Sequence, residues 1–317
     1  MPYYPEKKPD RDGEENRKRK RTEKRRMLLR LSLAAVSCFL IIYGAVRLIG
    51  YQSELDASRR TSRELQQISS RAIQETVQPS ASPALLTQAP PAEATREPMA
   101  DAAPTPENGA DDTKLLPVQY PGNPELKMSD RFRELRKKGK YIIGWIRFDE
   151  VDEAVARNDN TFFLDHDATG KKNSNGAIFL DESVILTTRP YTLILYGHNM
   201  KSGNMFGRLK KYKESAHFFK NRIITFDTMY EDGKYEVFAV AEINTVPGTA
   251  LWYDLYALTT DNRADREKAI RTLEQRSLVR GTAEVQADDQ LLLLVTCLDG
   301  DTERLVVAAR RVREGEM

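Results

Sequence analysis

Residues 31–51, LSLAAVSCFLIIYGAVRLIGY, form an apolar run of 21 residues broken by a single charge, Arg47. A helix of about 20 mostly apolar residues is what spans a bilayer, and Arg47 stands near the far end, where its long side chain can reach the interface. Residues 1–30 carry 12 Lys or Arg against 6 Asp or Glu, including RKRKRTEKRR at 17–26. Alone, such a run fits a nuclear signal or a nucleic-acid arm; ahead of an apolar helix it holds the N-terminus in the cytoplasm. A cleaved signal peptide would need a small-residue site such as A-x-A after the apolar core, and none stands there. AAVSC faintly resembles a lipoprotein cysteine, but the apolar run continues well past Cys38. The expectation is a basic cytoplasmic tail over 1–30, an uncleaved single-pass anchor over 31–51, and an extracellular remainder.

The formal net charge of the whole chain is only +2, which speaks against nucleic acid as a partner. Residues 79–112 hold 7 of the 15 prolines, with Leu85, Leu86 and Met99 as the only large apolar residues. That composition buries too little surface to offset its ordering entropy. With the polar stretch from 52 onward, it predicts a mostly disordered, partly extended stalk over 52–117. A folded domain is expected over 118–317. SDRFRELRKKG at 129–139 carries an N-cap candidate and a terminating glycine, and so reads as a helix. Seven apolar stretches separated by Gly, Asn, Asp and Pro then read as short strands: YIIGWIRF, GAIFLD, YTLILYGH, RIITFD, KYEVFAVAEI, LLLLVTC and RLVVAARRV. Such spacing points to an all-β barrel or sandwich. DNRADREKAIRTLEQRS at 261–277 interrupts the series with helical spacing at Ala269, Ile270 and Leu273.

The chain has two cysteines, Cys38 and Cys297. With one in the anchor, Cys297 has no partner for an intrachain disulfide in the outer region, and an unpaired thiol there is a candidate nucleophile. A cysteine nucleophile needs a base or a lowered pKa, and its reaction creates an oxyanion that needs donors. His166, His198 and His217 are the available histidines. His198 is favoured because it ends an apolar strand and opens a Gly/Asn-rich loop, where reactive groups tend to be held. From LLLLVTC alone, Cys297 reads more readily as a small buried apolar residue. Neither metal-ligand spacing nor a glycine-rich phosphate loop occurs.

TLILYGHNMKSGNMFGRLKKY at 192–212, followed far downstream by LLLLVTCLDGDTERLVVAARR at 291–311, resembles the sortases, and class B among them. IIGWIRFD at 142–149, NDNTFFLDHDATGKKNSNGAIFLD at 158–181 and the helix before the cysteine strand extend the resemblance over about 118–317. It implies a closed eight-stranded β-barrel, mainly β, with an N-terminal helix and a helix ahead of the cysteine strand. By resemblance, Cys297 is the nucleophile, His198 the general acid/base, and Arg304 the group that orients substrate and stabilises the oxyanion. The backbone N–H of Leu298 is a second oxyanion donor and Asp299 an auxiliary acid. Asn160, Leu164, Val295 and Thr296 line the peptide site. The implied partners are surface proteins with a C-terminal sorting signal, cut after Thr, and an amine acceptor from a wall precursor or a pilin lysine; no cofactor or metal is required. A peptidase without transfer activity and an idle peptide-binding barrel are the alternatives. Leu293 and Val295 depart from the family's usual strand, where a Thr and a Ser often stand, so the sorting motif stays open.

Overall fold

The computed structural model describes residues 11–77, 113–115, 122–298, 302–313 and 315–316. It falls into two compact units, Met1–Ala57 and Ser58–Met317. The first contains most of helix α1 (Arg11–Val77), within which lies an exposed segment long and apolar enough to cross a membrane.

In the second unit eight strands close into a barrel. They are β1 (Ile142–Phe148), β2 (Val151–Ala156), β3 (Ile178–Leu180), β4 (Thr192–Tyr196), β5 (Ile223–Thr228), β6 (Lys234–Asn244), β7 (Leu291–Cys297) and β8 (Glu303–Arg311), in the order β1-β2-β3-β4-β7-β8-β6-β5. Neighbours pair antiparallel except β2 with β3 and β4 with β7. The seven stretches read as strands from the sequence are all strands here. The eighth, β2, was not legible because Asp152 and Glu153 interrupt its apolar pattern.

Every strand sends residues into one interior cluster, among them Ile146, Val155, Leu180, Leu195, Phe226, Val240, Leu294 and Val307. Side chains alternate across a strand, so the neighbouring positions face outward, and two layers cover them. Helix α4 (Arg263–Gln275) lays Ala269, Ile270 and Leu273 over Leu291, Leu293, Val295, Val306 and Ala308. Helix α2 (Asp130–Lys138) packs Phe132 and Leu135 over Ile142, Trp145, Ala154 and Phe179. A short helix α3 (Ser215–Lys220) precedes β5. The continuous apolar run of β7 thus has a simple cause: the strand is buried on both faces.

The predicted stalk is corrected at both ends. Residues 52–77 are helical, and from Ser58 onward one face of α1 is buried on the barrel through Ser58, Leu65, Ser69 and Ala72. Ser62 Oγ donates to Glu153 Oε2 at 2.7 Å, Gln66 Nε2 to Asp152 O at 2.7 Å, and Arg131 Nε to Ser69 Oγ at 2.8 Å. The buried stripe contains one large apolar residue, so it leaves almost no hydrophobic periodicity in the sequence; tertiary contacts decide the conformation. At the other end Leu115 is buried with Tyr191 and Ala287, and its N–H donates to Asp261 O at 2.8 Å. Residues 78–112 and 116–117 of the predicted stalk lie outside the described residues.

Candidate active site

Strands β4 and β7 run parallel, with Thr192 to Tyr196 in register with Leu291 to Val295. Two residues further along each strand stand His198 and Cys297, so the topology brings side chains nearly a hundred positions apart to one end of one strand pair. Cys297, the last residue of β7, is exposed, which excludes the reading of it as a buried packing residue. On its other side β8 runs antiparallel and places Arg304 directly opposite Cys297. Residues opposed in this way share a face, with roughly 5 Å between their Cβ atoms. Arg304 is partly buried, is flanked by Ile243 of β6, and donates from Nη1 to Glu303 O at 2.9 Å.

His198 is held from the opposite side. Its Nε2 lies 2.7 Å from Leu164 O. A carbonyl only accepts, so Nε2 carries the proton of this bond and Nδ1 is the nitrogen left for exchange. Gly176, at φ +62°, makes the approach possible: a Cβ there would sit 2.4 Å from Phe163 O and 2.9 Å from His198 Cδ2. Leu164 itself exposes its side chain beside this contact.

The remaining predicted residues divide. Asn160 is committed to the fold: Nδ2 donates to Asp181 Oδ2 at 3.1 Å and Oδ1 accepts the Glu182 N–H at 2.9 Å. Val295 is buried under α4 in the outer core, because alternation along β7 turns it to the covered face. Thr296 is also buried, and its hydroxyl donates to Gly197 O at 2.7 Å. Neither lines an open groove. The Leu298 N–H, expected to face an oxyanion, donates to Glu303 O at 3.1 Å within the β7–β8 hairpin. Asp299 lies outside the described residues. His166 stacks on Phe162 and pairs with Asp165, and His217 sits near Asp149 and Asn221; neither contact involves the strand-end site.

Two features were not foreseen. Asn199, within the quoted YGHNM, donates from Nδ2 to Cys297 O at 3.0 Å. Opposite Ile194 of β4, Asp181 accepts from Tyr256 Oη at 2.8 Å as well as from Asn160 and Ser183. Burial pushes the Asp181 carboxyl up, but its donors outweigh that and hold it below the ordinary carboxylate range. The phenol of Tyr196 is pushed upward by burial first and then by Asp181. Tyr256 is carried on the turn Leu255–Leu258 between β6 and β7, a segment without a recognisable motif.

Residues 150–312 match the family model described as Sortase domain. Sortase B of Listeria monocytogenes is 28% identical over 196 residues, covering 60% of this chain and 75% of the relative. Sortase B of Staphylococcus aureus is 27% identical over 190 residues, covering 58% and 75%. Among solved structures, a Staphylococcus aureus sortase B crystal structure superposes with a TM-score of 0.53 at 27% identity, over 58% of this chain and 87% of that one. A Staphylococcus aureus sortase B–substrate complex gives 0.54 at 27% identity, over 59% and 87%.

Proposed function

Since the chain belongs to the sortase family, as a class B cysteine transpeptidase, we propose that it cuts a C-terminal sorting signal after Thr and transfers the upstream protein to an amine through a thioester on Cys297. The observation that carries this reading is the convergence of His198, Cys297 and Arg304 from three adjacent strands, with the thiol exposed.

In the first half-reaction the Cys297 thiolate attacks the Thr carbonyl carbon, forming the C–S bond and an oxyanion. A thiolate is the reactive form of cysteine. Arg304, charged at any working pH and carrying several N–H donors, stabilises that oxyanion and orients the peptide. With the Leu298 N–H committed to the hairpin, Arg304 is the principal donor. His198 delivers a proton from Nδ1 to the departing amine nitrogen as the C–N bond breaks, while Nε2 stays anchored on Leu164. In the second half the acceptor amine attacks the thioester carbonyl, His198 takes its proton, and the C–S bond breaks to return the thiolate. Water in place of the amine gives hydrolysis. Leu164 contacts the bound peptide.

The acceptor is a wall-precursor cross-bridge or a pilin lysine. The chain crosses the cell membrane once, N-terminus inside, with the barrel outside. The basic run before the apolar segment and that segment's hydropathy support this orientation.

The test uses the full-length protein in detergent with a quenched-peptide library holding one fixed Thr, with and without an added amine. Mass spectrometry is expected to find cleavage after Thr, amine-capped products, and a covalent adduct on Cys297 that Cys297→Ala abolishes. An undiminished adduct in that variant refutes the mechanism. Products that never incorporate the amine favour a peptidase, and absence of any cleavage favours a binding barrel.

A further inference from the structure

The parallel ladder between β4 and β7 ends before the residues that react. Its last register pair is Tyr196 with Val295, and its last backbone bond runs from Gly197 N–H to Val295 O at 3.3 Å. His198 and Cys297 both stand beyond it. Two side chains continue the pairing in its place. Thr296 Oγ1 donates to Gly197 O at 2.7 Å, and Asn199 Nδ2 donates to Cys297 O at 3.0 Å. One bond runs from the cysteine strand to the histidine loop and the other runs back, so together they bracket the two reactive residues. The orientation of the Asn199 amide follows from chemistry, because a carbonyl can only accept and the NH2 group must face it.

The anchor on which Asn199 rests is itself rigid. His198 O accepts from the N–H groups of Met200 and Phe206, each at 3.0 Å, and Asn199 forms an isolated bridge with Met205. On the other strand, the Cys297–Leu298 peptide is held at both polar atoms: its carbonyl by Asn199 and its N–H by Glu303 O. Without the asparagine, the Cys297 carbonyl would lose its bond to the histidine loop, leaving the end of β7 to β8 and the Thr296 hydroxyl.

We propose that Asn199 is a positioning residue for acyl transfer, gripping the carbonyl of Cys297 and thereby setting the nucleophile's register against His198. It acts through Cys297. The proposal rests on the thioester mechanism given above. Its leverage comes from the steepness of near-attack geometry, where a displacement of about 1 Å costs on the order of 100-fold in rate.

The experiment compares full-length wild type with Asn199→Ala, Thr296→Val and the double variant in detergent. Melting temperature, kcat and KM on the library's best-cleaved peptide, and the rate of Cys297 alkylation by iodoacetamide are measured. Asn199→Ala is expected to lower kcat about 10- to 100-fold, with KM and alkylation within about threefold of wild type and a melting temperature close to it. Thiol access then survives while alignment is lost. Because both bonds hold one register, the double variant should lose less than the product of the single losses. Unchanged kcat, or alkylation falling in step with kcat, overturns the positioning role. An inert wild type removes the transfer reaction and the positioning role together, whereas an active wild type with an unimpaired Asn199→Ala overturns only the latter.

Discussion

Raising the pH from 5 to 8 should loosen the grip of residues 58–77 on the barrel, and the group responsible is Glu153. This carboxyl lies on β2 beneath α1, where Ser62 donates to it. Burial, opposed by the Ser62 hydrogen bond and reinforced by neighbouring Asp152, raises its pKa from 4.5 to about 7. The docked form therefore binds the proton more tightly than a form in which the carboxyl meets water. Its contribution to docking is complete below about pH 4.5 and is lost as pH rises through 7. A shift of about 2.5 units corresponds to about 3 kcal/mol, or on the order of 300-fold in the docking equilibrium. Glu153→Gln keeps an oxygen for Ser62 and cannot ionise. Amide exchange over 58–77, corrected for intrinsic rates, should lose protection with rising pH in wild type and stay flat in Glu153→Gln, the two converging near pH 5. Parallel pH profiles in the two proteins, or protection that increases with pH in wild type, would refute the reasoning.

Other substitutions test the frame around the site. Gly176→Ala places a Cβ against Phe163 O and the His198 ring in a left-handed backbone conformation. It should lower stability by about 1–3 kcal/mol, seen in thermal melts, and should depress peptide cleavage by displacing the Leu164–His198 contact. Arg266 is fully buried, and it donates to the carbonyls of Leu258, Tyr191, Ala287 and Asp289 and to the Thr192 hydroxyl. Leu258 O and Tyr191 O keep donors without it, from Thr192 and Leu291. Arg266→Met thus orphans chiefly Ala287 O and Asp289 O, at about 1–3 kcal/mol each. Urea unfolding should show a loss of about 2–6 kcal/mol, and a variant as stable as wild type would show that this buried cation is dispensable.

The candidate strand-end residues were legible because they sit in distinctive local strings. YGHNM and VTC lie at the same end of neighbouring parallel strands, and the helix read over 261–277 appears as Arg263–Gln275. What the sequence concealed lies between elements. The stripe of Ser58, Leu65, Ser69 and Ala72 lacks the bulk that marks an amphipathic helix, so its docking was invisible until the barrel surface was known. Val295 and Thr296 were read as groove residues from nearness to Cys297 in the chain. Strand alternation and the α4 cover bury the first, and a cross-strand hydrogen bond occupies the second. The Leu298 N–H depended on a hairpin register that no residue type announces.

The parallel pairing of β4 with β7 also has a kinetic consequence. Parallel neighbours require a crossover, and here Asn199 and the Cys297 it holds are 98 positions apart. Closing so long a loop is slow relative to forming hairpins such as β7–β8 or β1–β2. The cysteine and arginine can meet early through their hairpin, but the histidine joins them only after the crossover has closed. On the proposed roles, the thiol then lacks its proton donor until that crossover closes. Full reactivity is delayed until the barrel has shut around its own topology.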